Sequence, residues 1–138
     1  MPLAGKPADP NGHAVLLVED EEAVRRLARV FLEEHGYKVY EARDQDAAIE
    51  MAHWLRGSLH LLLTDVVMPG FDGHELAHRL AAEHPHLKVL YMSGFPDDAT
   101  VKHAAIDPGT GFIQKPFSAA SLAAKIRDLL GAPGAAGP

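Results

Sequence analysis

Residues 60–65 read HLLLTD, a short apolar run that ends in an acid. A run of this length is too short for a helix, and it suits a strand that is buried on both faces. A second run of the same kind, AVLLV at 14–18, ends directly before Glu19 and Asp20. The two runs therefore predict buried strands that end in carboxylate groups.

Outward from these runs, short apolar segments alternate with amphipathic ones along the chain. Strands are predicted at 14–18, 38–42, 60–64, 87–92 and 111–113, and helices at 21–35, 44–55, 72–83, 97–105 and 118–130. Asp44 and Ser118 are placed to cap the second and last helices, and Gly36 is placed to end the first. Because parallel strands need crossover connections, the pattern predicts an α/β fold with one parallel sheet covered on both faces.

The bulk properties exclude several classes of protein. A length of 138 residues fits one domain, and a net charge of −6 argues against direct nucleic-acid binding. The absence of cysteine excludes disulfides, thiolate zinc sites and cysteine nucleophiles. There is no apolar run near the roughly 20 residues that span a membrane, and no secretory signal. We expect a cytoplasmic protein without direct membrane contact.

The two ends of the chain differ in composition from the middle. Residues 1–12 and 132–138 are rich in Pro, Gly and Ala and offer few side chains for anchoring. We predict flexible tails there and one folded domain at 13–131.

Reactive side chains follow four of the predicted strands. They are Glu19 and Asp20, Asp65, Ser93 and Lys115. In parallel α/β sheets the ligand crevice lies beyond the carboxyl ends of the strands, so these groups should meet there. Carboxylates packed together repel one another unless a cation sits among them, and oxygen ligands favour Mg²⁺. Asp65 could then attack a phosphoryl group whose oxygens Lys115 and Ser93 hold.

Five motifs in register carry a resemblance to a known family. They are VED at 18–20, TDVVMPG at 64–70, DG at 72–73, MSG at 92–94 and KPF at 115–117. Over about residues 14–130 the chain resembles the response-regulator receiver domains of two-component signalling. The resemblance implies a flavodoxin-like (βα)5 doubly wound fold with a parallel five-stranded sheet in the order 2-1-3-4-5.

The resemblance also implies a metal site and a phosphoacceptor. Asp65 would accept the phosphoryl group, and Mg²⁺, for which Mn²⁺ could substitute, would be bound by Asp20, Asp65 and the backbone carbonyl of Val67. Glu19 would bind the metal through a water molecule, and Lys115 would pair with the phosphoryl group.

Further residues correspond to the family's switch. Ser93 would move toward the phosphoryl group, Phe112 occupies the switch-aromatic position, and the peptide bond between Lys115 and Pro116 is expected to be cis. These movements would change the surface formed by the fourth helix, the fifth strand and the fifth helix. Members of the family dimerise through that surface or stay monomeric, which leaves a homodimer open here.

The implied function is that of a signalling domain rather than an enzyme with a separate substrate. A histidine kinase or a histidine phosphotransfer protein would donate the phosphoryl group, and the domain would catalyse its own phosphorylation and dephosphorylation. LYMSGF at 90–95, DPG at 107–109 and FIQKPF at 112–117 are similar to receivers at the carboxyl ends of hybrid sensor histidine kinases. We therefore expect a role within a phosphorelay.

Three residues depart from the usual family pattern. Glu19 stands where Asp is more usual, and Phe112 replaces the commoner Tyr. Val67 offers no polar side chain to a water molecule that attacks the phosphoaspartate. The last departure predicts slow self-dephosphorylation.

Three other functions fit parts of the sequence. Residues 74–78 read HELAH, an H-E-x-x-H zinc-protease motif with His84 nearby, but Ala81 replaces the glycine that the extended motif requires. A haloacid-dehalogenase-like phosphatase also uses an aspartate nucleophile, yet it needs a second Asp where this chain has Val67. A receiver-like interaction module that never takes phosphate is the third alternative.

Some expectations concern packing rather than chemistry. The third helix should bury Leu76, Ala77 and Leu80 and expose both of its histidines, and the remaining histidines are expected at the surface. Met51 and Trp54, at helical spacing, are expected to pack inside.

Overall fold

A computed structural model describes residues 13–68, 70–94 and 109–131. The strands are β1 (Ala14–Val18), β2 (Lys38–Ala42), β3 (Leu61–Asp65), β4 (Val67–Met68), β5 (Phe71–Asp72), β6 (Lys88–Ser93) and β7 (Thr110–Gln114). The helices are α1 (Glu22–Glu34), α2 (Gln45–Trp54), α3 (Gly73–Ala81) and α4 (Ala119–Leu130). The helix predicted at 97–105 lies outside the described residues.

The main sheet is parallel and has the strand order β2-β1-β3-β6-β7. Since β6 and β7 are the fourth and fifth predicted strands, this order confirms the predicted order 2-1-3-4-5. The two-residue strands β4 and β5 form a separate antiparallel pair directly after β3. That pair was not predicted, because two residues carry no readable periodicity.

Each face of the sheet is covered by helices. On one face α2 and α3 pack over Leu16 and Val18 of β1, and on the other α1 and α4 pack over Val15 and Leu17. Successive side chains of a strand point to opposite faces, so a strand covered on both sides is apolar throughout. All five residues of β1 and of β3 are buried.

Local signals set the helix boundaries. The side chain of Asp44 accepts a hydrogen bond from the Ala47 N–H at 2.8 Å, and the Ser118 hydroxyl accepts one from the Ser121 N–H at 3.0 Å. Both caps lie where the sequence predicted them. Gly36 follows α1 with a φ of 88°, a conformation that favours glycine.

The expectation that the histidines outside α3 lie at the surface is wrong for three of them. His13 and His84 are buried and His60 is half-buried. His60 Nδ1 accepts a hydrogen bond from the Ala14 N–H at 2.9 Å, and His84 Nε2 donates to the Ala52 carbonyl at 2.9 Å. A neutral imidazole can join backbone groups in this way at element ends, and no sequence periodicity reports it.

Two expectations about the helices are correct only in part. Leu76, Ala77 and Leu80 of α3 are buried as expected, but the ring centroid of His74 lies 4.5 Å from that of Tyr91 and the residue is half-buried. In α2, Met51 packs against the core, whereas Trp54 is 78% exposed. Trp54 is the last residue of α2.

Among the described residues, no helix combines the length and the apolar character needed to cross a membrane.

Candidate functional site

Three carboxylates meet at the carboxyl edge of the sheet. β1 and β3 are neighbours, so Glu19 and Asp20 after β1 lie beside Asp65 at the end of β3. One carboxylate oxygen of each lies within 4.8 Å of the others. Glu19 is fully buried, Asp65 is 9% exposed and Asp20 is exposed. We call these three residues the acidic cluster.

Lys115 follows β7 and reaches the acidic cluster across β6 at the same edge of the sheet. Its Nζ atom donates hydrogen bonds to Oε1 of Glu19 at 2.9 Å and to Oδ2 of Asp65 at 3.0 Å. The backbone N–H of Lys115 donates to the Ser93 carbonyl at 2.8 Å, and the Lys115–Pro116 peptide bond is cis. One ammonium group therefore joins two of the three carboxylates.

The buried Glu19 is held by further contacts. Its Oε2 accepts a hydrogen bond from the Glu21 N–H at 3.1 Å, and its own N–H donates to the Ala42 carbonyl at 3.2 Å. Its carbonyl accepts from Nη1 of Arg25 at 2.8 Å. Arg25, six residues after Glu19 and one turn into α1, was not predicted to belong to the site, because its contacts depend on the tertiary fold.

Burial and charge perturb the pKa values of two groups in the site. Desolvation raises the pKa of Glu19 to about 7, and the hydrogen bonds from Lys115 and Glu21 offset this only in part. Burial alone would lower the pKa of Lys115, but its hydrogen bonds to Glu19 and Asp65 outweigh that effect and raise it. The site therefore favours an additional proton or cation near Glu19.

The residues present fit a hard divalent cation. The acidic cluster offers only oxygen ligands, and its three carboxylates exceed the single ammonium group that compensates them. Magnesium prefers one or two carboxylates and retains several waters, which the exposed side of the cluster at Asp20 allows.

Gly73 determines how closely α3 approaches the site. Its N–H donates to the Val66 carbonyl at 2.7 Å, and an added Cβ would lie 3.1 Å from Val66 backbone atoms and closer still to the Asp65 carbonyl oxygen. In the sequence, the DG motif at 72–73 indicated only the family resemblance, and the structure explains why its second residue is glycine. Only glycine permits this contact without a shift of the chain that carries Asp65.

The other residues predicted for the site lie at or near the same edge. Ser93 ends β6 and is half-buried, and Phe112 in β7 is half-buried and packs against the core on the α2 and α3 face. The backbone of Val67 pairs with Asp72. Their roles in phosphorylation and switching remain predictions.

The family model for the response regulator receiver domain matches residues 15–127. The chain belongs to this family. The receiver domain is 40% identical to the sensor kinase CckA of Brucella abortus over 91% of its own length but only 13% of that protein. It is 34% identical to the response regulator receiver protein CpdR of the same organism, over 84% of the chain and 95% of that relative.

Solved structures agree with the fold. The receiver domain from the hybrid histidine kinase CckA is 33% identical with a TM-score of 0.73, covering 85% of this receiver domain and 98% of that chain. The chemotaxis protein CheY4 of Vibrio cholerae has a TM-score of 0.77 over 86% of this chain and 98% of that one, but at 22% identity it supports the fold alone. The predicted similarity to receivers of hybrid kinases is confirmed.

The zinc-protease motif does not assemble a metal site in the described part of the receiver domain. His74 contacts Tyr91, His78 is exposed and His84 is buried against Ala52. Within residues 13–68, 70–94 and 109–131, the acidic cluster is the only group of three or more His, Cys, Asp or Glu side chains that lie close enough together to hold a metal.

Proposed function

We propose that this receiver domain accepts a phosphoryl group on Asp65 from a phosphohistidine donor in a two-component phosphorelay. The observation that carries the proposal is the Lys115 ammonium group bound to Asp65 inside the acidic cluster. A carboxylate that is buried, oriented by a cation and placed at the ligand edge of a parallel sheet suits nucleophilic attack on phosphorus.

The transfer exchanges one bond for another. A carboxylate oxygen of Asp65 forms the new O–P bond while the P–N bond to the donor imidazole breaks, and the electron pair returns to the imidazole nitrogen. Lys115 compensates charge on the phosphoryl oxygens, and the Ser93 hydroxyl donates a hydrogen bond to one of them. Little else is required, because phosphoryl transfer depends mainly on positioning and charge compensation.

Asp20, Asp65 and the Val67 carbonyl would hold Mg²⁺, or Mn²⁺ in its place, with Glu19 acting through water. When bound, the ion would supply positive charge that lets a phosphoryl group approach the carboxylates. Asp65 keeps its orientation through Lys115, and Glu19 keeps its own through Lys115 and the Glu21 N–H.

The proposed consequence of phosphorylation is a change of partner preference. Ser93 would move toward the phosphoryl group and Phe112 would turn inward, altering the surface that β7 and α4 form with the helix predicted at 97–105. The sensor-kinase and hybrid-kinase relatives support a histidine kinase or a histidine phosphotransfer protein as the donor. A homodimer through this surface and a cytoplasmic location remain predictions.

Intact-mass spectrometry after incubation with acetyl phosphate tests the proposal. Wild type with Mg²⁺, wild type with chelator, Asp65→Asn and the exposed control Asp128→Asn should be compared. We expect one added phosphoryl group in wild type with Mg²⁺ and in Asp128→Asn, and none in the other two samples. A wild type that neither binds Mg²⁺ nor gains the group would favour the phosphate-independent interaction module. A wild type that binds Mg²⁺ yet gains no group from acetyl phosphate would indicate a strict need for the partner kinase.

A further inference from the structure

Arg25 links Glu19 of the acidic cluster to Glu41 of β2, a strand that contributes no residue to the cluster. From α1, the Arg25 guanidinium donates from Nη1 to the Glu19 carbonyl at 2.8 Å and from Nε to Oε1 of Glu41 at 3.0 Å. The side chain of Arg25 is only 16% exposed. A planar guanidinium with donors in fixed directions therefore ties the turn after β1 to β2.

Glu41 is itself fixed in place. Its second carboxylate oxygen accepts a hydrogen bond from Nη1 of Arg29 at 2.9 Å. In the sheet Glu41 is the register partner of Leu17, two residues before Glu19. The carboxylate thus stands between two arginines of α1 and gives Arg25 a defined anchor.

The main chain of Glu19 is held on both sides of its Cα atom. The N–H donates to the Ala42 carbonyl at 3.2 Å, and the carbonyl accepts from Arg25. Rotation of the Glu19–Asp20 peptide would redirect both the Asp20 carboxylate and the carbonyl that Arg25 holds. The hydrogen bond from Arg25 opposes this rotation.

We propose that Arg25, anchored by Glu41, is a positioning residue that orients Glu19 and Asp20 for the divalent cation without contacting the cation or the phosphoryl group. The inference rests on the proposed function, because it assumes that the acidic cluster binds Mg²⁺. Groups that hydrogen-bond to the ligand shell commonly change metal affinity by about 10- to 100-fold when they are removed.

Arg26 provides a matched control beside it in the sequence. Its side chain is 65% exposed and pairs with the exposed Glu22, four residues before it on α1, at 2.7 Å. Arg26→Gln removes the same charge as Arg25→Gln. Arg25→Lys keeps the charge but cannot direct two donors in the guanidinium geometry.

The test is Mg²⁺ titration by calorimetry, at a temperature where circular dichroism shows every variant to be folded. We expect Arg25→Gln to weaken Mg²⁺ binding by about tenfold or more, and Arg25→Lys to recover only a small part of the loss. Arg26→Gln should stay within about twofold of wild type, as surface ion pairs contribute little. Equal affinities in Arg25→Gln and Arg26→Gln, or full recovery by Arg25→Lys, would overturn the proposal.

Amide hydrogen exchange without metal supplies an independent readout. We expect the Glu19 and Glu21 amides to exchange faster in Arg25→Gln than in Arg26→Gln, because the turn loses its anchor. Unchanged exchange at both amides would contradict the positioning role. If wild type fails to bind Mg²⁺, the proposed function fails, and the exchange rates still decide whether Arg25 orders the turn.

Discussion

Nζ of Lys115 donates a 3.0 Å hydrogen bond to Oδ2 of Asp65, and 50 positions of sequence separate the two residues. The same ammonium group reaches Glu19 at 2.9 Å. The sheet order places β6 between β3 and β7, so the lysine extends across one strand to meet the acids. This cation between two buried carboxylates underlies both the stability and the proposed chemistry of the edge.

Replacement of Lys115 by Met should destabilise the protein at about pH 8 by about 1–3 kcal/mol, since two buried carboxylates lose their shared donor. Urea unfolding in the presence of chelator measures the free energy of unfolding. The exposed Lys125 on α4 provides the control, and Lys125→Met should change it little. Equal losses in the two variants would show that the hydrogen bonds of Lys115 to Glu19 and Asp65 do not stabilise the fold.

The stability of the metal-free protein should depend on the protonation of Glu19. Because folding raises the pKa of Glu19 from 4.5 to about 7, the folded state binds more protons between these values. Protonation of Glu19 therefore contributes to the free energy of unfolding. This contribution is fully present below pH 4.5 and is lost as the pH rises through about 7. The slope is at most about 1.4 kcal/mol per pH unit.

Urea unfolding across this pH range, in chelator, checks the dependence. Glu19→Gln should lack this component of the slope, and the exposed Glu22→Gln should retain it. Parallel pH profiles for wild type and Glu19→Gln would show that Glu19 does not titrate in this window.

Gly73→Ala should destabilise the protein by about 1–3 kcal/mol and reduce phosphorylation, because the added methyl group meets the Asp65 and Val66 backbone. Gly94→Ala is the stability control, since an added Cβ there has no neighbour within 4 Å. Thermal or urea unfolding compares the two. If both alanines leave stability unchanged, the packing of α3 against the end of β3 is looser than described.

Val67→Asn should shorten the lifetime of the phosphorylated protein, because the amide can orient a water molecule for attack on the phosphoaspartate. The decay of the phosphorylated mass after removal of acetyl phosphate gives the half-life. The exposed Val30 on α1 offers a matched control, and Val30→Asn should decay like wild type. An unchanged half-life in Val67→Asn would remove the basis for predicting slow self-dephosphorylation.

Much of the fold could be predicted because its signals are local. The apolar run at 14–18 marks β1 to the residue, and Asp44 and Ser118 cap the helices that they were predicted to open. β3 begins and ends one residue later than predicted, because the acidic residue Asp65 continues the strand pairing beside Met92.

The features that escaped prediction depend on tertiary contacts. Trp54 resembles a packing residue in a helical pattern, yet it ends α2 and faces solvent. Conversely, His60 and His84 are polar residues that bond to backbone groups of distant elements. The role of Arg25 could not be predicted, because it depends on the pairing of Arg25 in α1 with Glu41 in β2. The spacing of residues along the sequence does not predict such contacts between distant elements.

The proposed role of Asp65 as phosphoacceptor can be tested by identifying the residue that carries the phosphoryl group. Borohydride reduces an aspartyl phosphate to homoserine, so reduction of the phosphorylated protein followed by peptide mass spectrometry marks the nucleophile among the three carboxylates of the acidic cluster. We expect homoserine at position 65, with Asp20 unaltered. Homoserine at position 20, or unmodified Asp65 in a protein that carries the phosphoryl group, would contradict it.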